Sequence, residues 1–385
     1  MRTSEAELFS VQAICVSGVR LSGVKSEARF LFACLHRVSV DNLDLDTCLR
    51  TAALFTEITP RIDTFKCSSS SSDYLFPHLS AQKPRRLNES QLRLLANFVV
   101  ELDLSENGLT EIEPAPFRQH LGQLSVLKLN RNLLGAFVPP LFTENLTVLE
   151  LASNQLERLE PTLFRDALKL ERIVLHHNRL SALHKDTFAG LNRLVELDLH
   201  RNELKHLPGS LFNGLSALTR LDLSANRLEY LDTSTFCSLS TSLVYLDLSK
   251  NQLRSLNSLK MTKTIGEIFR RTGALNKLAC LRELRLAENK LGRLCVCDLS
   301  STGLNVLDAH CNRIKHVEPG ALPCSLTALN LSENMLGEAA TVDVDTFSGL
   351  GQLQTLDLSS NRLRTLPAGL FSDLTELAEL SLAGN

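Results

Sequence analysis

The chain has 385 residues, 44% of them hydrophobic, enough to bury a large core at a length that ordinarily means two or three domains. Its 41 basic and 43 acidic residues leave a net charge of −2, which lacks the electrostatic footprint of a nucleic-acid or anionic-lipid binder, so polynucleotide partners are set aside. No apolar run reaches the eighteen residues that a membrane-spanning helix needs.

Residues 1–20 place Glu5 and Glu7 ahead of a short apolar run, Leu8 to Val16, a poor match to the basic segment and clean apolar stretch of a secretory signal. Residues 1–85 follow no regular frame and are expected to form a poorly defined region or degenerate cap. Within them Phe30 to Leu35 and Leu54 to Ile58 read as strands or short helices, and Ser68 to Ser72 as loop.

From 86 to 385 the text becomes periodic. The frame LxxLxLxxNxL recurs, as in Leu194-Val-Glu-Leu197-Asp-Leu199-His-Arg-Asn202-Glu-Leu204. Its asparagine falls at Asn107, Asn132, Asn154, Asn178, Asn202, Asn226, Asn251, Asn289, Asn312, Asn334, Asn361 and Asn385, about twelve repeats with a period near 24 and one elongated repeat at 251–289. The two leucines of LxL point to one side of a short strand, so stacked repeats bury a leucine column and expose a concave parallel sheet. The asparagine amide is suited to satisfy backbone groups of its own and the next repeat at the sharp turn that follows.

A second column lies ten residues after the ladder, at Phe117, Phe142, Phe164, Phe188, Phe212, Phe236 and Phe371, with Leu299 and Leu322 in its place twice. These rings are expected to stack as a convex spine. The text around them, such as residues 207–212 and 366–371, reads as short irregular or 3₁₀ returns. The predicted fold is an α/β solenoid, a curved horseshoe with a concave parallel β-sheet and an irregular convex side. The last repeat breaks off at Asn385 with no C-terminal cap, which reads as a fragment, since a solenoid needs terminal caps.

From Val99 to Asn385 the 24-residue frame with its phenylalanine spine resembles the extracellular type of leucine-rich repeat. Three local features narrow the resemblance to the ectodomains of invertebrate Toll and Toll-like receptors. They are Cys237 directly after Phe236 with Cys280 supplied by the elongated repeat, a three-residue extension between Asn334 and Phe347, and Phe65-Lys-Cys67-Ser upstream. The resemblance implies a receptor that binds a protein ligand or a second copy of itself and signals across the plasma membrane. Attachment to that membrane, and the signal for export, would come from segments outside this chain.

Ten cysteines, an even count, are compatible with bridges. Cys237 and Cys280 flank the elongated repeat and form the candidate disulfide; the other reading is two buried thiols. Cys295, Cys297, Cys311 and Cys324 offer two more bridges, and their spacing matches no standard zinc pattern. Glycosylation triplets stand at Asn88, Asn145 and Asn330, the last on the concave strand.

No catalytic motif emerges, and neither an enzyme, a cofactor nor a metal is expected. Asp198, Asp222 and Asp247 recur at one concave position, either as a site for a cation or basic ligand or as common strand text. His176, His177 and His200 offer a titrating patch or solvated histidines. Ile265 to Phe269 has the spacing of a short helix whose phenylalanine refills the spine. The functional expectation is a ligand-binding ectodomain of a Toll-type receptor. The alternatives are a cell-adhesion or matrix protein without a signalling domain, and an intracellular scaffold.

Overall fold

A residue held at positive φ cuts each strand short. The residue before the ladder asparagine has φ between 50° at Arg201 and 62° at Glu106, at eleven positions that are not glycine, and Gly384 takes the place before Asn385. A side chain there costs about 1–2 kcal/mol, so each turn needs strong compensation. The neighbouring repeat supplies part of it, as where the Ala225 N–H donates to Ser249 O at 2.8 Å.

These contacts come from a computed structural model that describes residues 99–139, 141–256, 273–338 and 342–385, with five short elements upstream. The chain divides into two compact units, residues 1–179 and 180–385.

In the first unit the upstream elements are β1 (Ala13–Ser17), β2 (Arg37–Asp41), β3 (Thr64–Ser68), β4 (Arg85–Leu87) and helix α1 (Glu89–Arg93). Then come β5 (Glu101–Asp103), β6 (Leu109–Ile112), helix α2 (Pro114–His120), β7 (Val126–Lys128), β8 (Val148–Glu150) and β9 (Arg172–Val174). The sheet runs β1-β2-β3-β5-β7-β8-β9, every pair parallel. β1, β2 and β3 start 24 and 27 residues apart, so the region expected to be a degenerate cap already contributes strands at the spacing of the array. The segments 30–35 and 54–58 and the serines after Ser68 lie outside the described residues.

The second unit contains β10 (Glu196–Asp198), β11 (Arg220–Asp222), β12 (Tyr245–Asp247), β13 (Glu283–Arg285), β14 (Arg293–Leu294), helix α3 (Val296–Leu299), β15 (Val306–Asp308), β16 (His316–Val317), β17 (Ala328–Asn330), β18 (Thr355–Asp357) and β19 (Glu379–Ser381). Its sheet runs β10-β11-β12-β13-β15-β17-β18-β19, again parallel throughout. β4 with β6, and β14 with β16, make two-stranded pairs apart from it.

The core is two leucine columns. Leu197, Leu221, Leu246 and Leu284 from mid-strand, and Leu199, Leu223, Leu248 and Leu286 after it, have no exposed surface. Full burial of such a side chain contributes about 1.5–3 kcal/mol. Behind the columns the phenylalanine rings stack, Phe142 on Phe164 at 5.9 Å and Phe212 on Phe236 at 5.8 Å between centroids. Phe347 joins the column from the extended repeat and stacks on Phe371 at 6.1 Å, while Leu299 and Leu322 are buried where they replace a ring. A 3₁₀ turn at Cys237–Leu239 follows the spine as the sequence predicts, and no helix among the described residues is long and apolar enough to cross a membrane.

The asparagines form the ladder, with one difference from expectation. Asn226 Nδ2 donates within its own repeat to Leu223 O and Ser224 O, and outside it to Leu199 O of the preceding repeat. Its Oδ1 accepts the Leu204 N–H, so the side chain reaches back rather than toward the next repeat.

The elongated repeat does not interrupt the sheet. Tyr245 pairs directly with Glu283, and Asn289 reaches across the insertion to Leu248 O at 2.9 Å. The expected helix at Ile265 and its Phe269 lie outside the described residues.

Candidate functional site

Each strand offers the open face of the sheet two side chains, one on either side of its buried leucine, and the turn adds a third two residues later. In the first unit opposite charges meet across strands: Lys128 Nζ lies 2.8 Å from Glu101 Oε1, and Arg172 Nη1 lies 3.1 Å from Glu150 Oε1. In the second unit the pattern changes.

There the register places Asp198 opposite Asp222 and Asp222 opposite Asp247. The predicted carboxylate column is therefore real, and it ends at Arg285 in β13. Each acid also has local work. Asp222 Oδ1 accepts the Ser224 N–H at 2.8 Å and its hydroxyl at 2.6 Å, and Asp247 does the same with Ser249. This Asx turn satisfies the backbone as it leaves the strand, which explains why Asp-Leu-Ser recurs. His200 takes the serine's place after Asp198, its Nδ1 2.7 Å from Asp198 Oδ1.

Crowding perturbs these groups. The hydrogen bond to Asp198 holds the His200 pKa above its ordinary value, and burial, then the charges of Asp247 and Asp198, raises Asp222. Burial and the Asp247 charge push the Tyr245 phenol up to about 12, so it stays a donor, and it reaches Asp247 Oδ2 at 3.3 Å.

Sequence reasoning missed the basic and aromatic half of this face. The Arg220 guanidinium lies 4.4 Å from the centre of the Tyr245 ring, and that of Arg285 lies 5.5 Å from it. Both contacts are cation–π in geometry. Arg285 is further held by Glu283 at 2.8 Å, whereas Arg220 has no ion pair among the described residues. The signal lay down the columns rather than along the text: Arg220 and Tyr245 hold the position before the mid-strand leucine, and Arg285 the position after it, where the three preceding strands carry aspartate. The open face here presents an aromatic ring flanked by two cations, beside a row of carboxylates.

His176 belongs to the first unit, where its Nδ1 lies 2.8 Å from that of His177. Cys237 and Cys280 are two thiols in the structure, donating to Thr233 O and Thr241 O, so Cys280 reaches the loop just after the Cys237 turn. Asn145 uses its Nδ2 to hold Gly122 O at 2.9 Å, while Asn330 lines a shallow groove of about 660 Å³ with Asp308, Asp357 and Ser381. Asn88 is outside the described residues.

Residues 144–204, 192–253 and 338–385 match the family profile described as "Leucine rich repeat". Human Toll-like receptor 5 is 34% identical over 145 residues, 34% of this chain and 17% of the receptor. Mouse podocan-like protein 1 is 31% identical over 312 residues, 71% of this chain and 51% of the relative. Among solved structures, a complex of TLR13 with ssRNA13 superposes with a TM-score of 0.68 at 22% identity, covering 97% of this chain and 54% of that one. The chain spans about half or less of the length of these proteins.

Proposed function

We propose, from the premise that this chain is a leucine-rich repeat protein resembling the extracellular type, that it is the ligand-binding part of a Toll-type receptor facing the outside of the plasma membrane. The observation that carries this reading is the likeness to human Toll-like receptor 5, in a chain that also has Cys237 directly after the spine residue Phe236 and the extended repeat before Phe347. Its ligand is a protein, gripped on the open face of β10–β13 through Tyr245, Arg220 and Arg285, and a second copy of the chain is the candidate partner in signalling. Rigid aromatic and arginine side chains are the residues on which protein interfaces most often depend. In the oxidising environment outside the cell, Cys237 and Cys280 form a bridge that closes the elongated repeat.

A second reading is favoured by one observation: the podocan-like relative aligns with more of this chain than the receptor does. On that reading the same face binds partners in the extracellular matrix, with no signalling domain. Sequencing the full-length transcript past Met1 and Asn385 separates the two. An in-frame spanning helix followed by a cytoplasmic domain is the expected result; a reading frame that ends without one overturns the receptor in favour of the matrix protein.

A further inference from the structure

Asp-x-His occurs twice on the open face, and the register makes the two copies chemically different. Asp198–His200 and Asp308–His310 each place the imidazole Nδ1 2.7 Å from the carboxylate Oδ1. Beside Asp308 the neighbouring strands carry Arg285 and Asn330, a cation and a neutral amide. Beside Asp198 the next strand carries Asp222, whose Oδ2 lies 3.9 Å from His200 Nδ1. One atom from each of Asp198, His200 and Asp222 can be chosen so that all three lie within 4.8 Å of one another.

We propose that Asp198, His200 and Asp222 form a binding site for a divalent transition-metal ion of the zinc type on the open face of the sheet. Zinc bonds of about 2.1 Å to nitrogen and oxygen set neighbouring tetrahedral ligands about 3.4 Å apart. The present separations of 2.7 and 3.9 Å fall on either side of that value, so small side-chain rotations admit the ion. The three side chains are 19–29% exposed, buried enough to be held in place and open enough for an ion and a further ligand to enter. Two carboxylates and a neutral imidazole match the ion's charge, and Asp247 behind Asp222 adds to the negative field. One nitrogen in the set favours zinc over calcium, which takes oxygen ligands alone. The Asx turn explains the Asp198–His200 bond, as it does at Asp308, but not the third donor. Coordination positions left free point outward, where water or a partner's side chain completes the shell.

The test is calorimetric titration of the reduced, chelator-treated full chain with zinc chloride, beside His200→Ala, Asp222→Asn and His310→Ala. Zinc held by cysteines is common to all four proteins and cancels. The expected result is one zinc equivalent in the parent, beyond any that the cysteines hold, that weakens at least about tenfold in both His200→Ala and Asp222→Asn and is unchanged in His310→Ala. Asp222→Asn keeps its turn through the amide oxygen, so it reports even if His200→Ala folds poorly. Identical titrations of parent and Asp222→Asn, or equal loss in His310→Ala, would overturn the site. The outcome is independent of whether the chain serves a receptor or a matrix protein.

Discussion

A ladder asparagine such as Asn226 does at a buried turn what several separate partners would otherwise do. Asn226 is 6% exposed and makes four hydrogen bonds to backbone, and alanine leaves those groups without water or a substitute. Asn226→Ala is expected to lower stability by about 3 kcal/mol, read as a shift of the denaturation midpoint; a loss under about 1 kcal/mol would show that the ladder is not a major support. The position before it has its own rule. Ala225 sits at φ 52°, where a β-branched side chain fits worst, so Ala225→Val is expected to cost about 1–2 kcal/mol and Ala225→Gly to be nearly neutral. Glycosylation separates by the same kind of accounting. Asn145 spends its amide nitrogen on Gly122 O, whereas Asn330 commits only its oxygen, to Ser332. In secreting cells Asn330→Gln is therefore expected to remove one glycan by mass and Asn145→Gln none.

At the scale of single elements, α3 shows how a short helix can depend on pH. Its N-terminus is capped by Asp298, whose Oδ2 accepts the Cys295 N–H at 2.8 Å, while Glu318 accepts from Val296 at 3.0 Å. Burial, then the charge of Glu318, pushes the Asp298 carboxyl up to about 6. Because this pKa is above its unfolded value near 4, the folded state holds the proton more tightly; the contribution is fully present below about pH 4 and is lost as pH rises to about 6. Denaturation of the parent against Asp298→Asn across that window is expected to show a difference growing to at most about 3 kcal/mol, and parallel curves would exclude a buried, perturbed carboxyl. Strand elements follow simpler physics. Asp-Leu-Ser closes β11 and β12 with an Asx turn, so the aspartate column was legible as text while its reason was not. Only hydrogen bonds within two residues were needed to supply that reason.

At the scale of the whole molecule each unit is a stack in which a repeat depends on its neighbours, so protection should vary along it. Leu221 in β11 has no exposed surface and Leu380 in β19 is 40% exposed. Amide exchange within the second unit is expected to be slowest around β11 and β12 and fastest at β19; uniform protection would mean that the unit opens only as one piece. The sequence by itself determined the repeat, its registers, both leucine columns, the ladder from Asn107 to Asn385 and the phenylalanine spine, because every repeat writes the same local contacts at a fixed spacing. It did not determine the backward reach of the asparagines, the strands β1 and β2, or the meeting of Arg220, Tyr245 and Arg285 and of Asp198, His200 and Asp222. Those depend on which residues, 22 to 40 positions apart, parallel stacking sets side by side and on the rotamers they adopt there, and only the tertiary structure decides that.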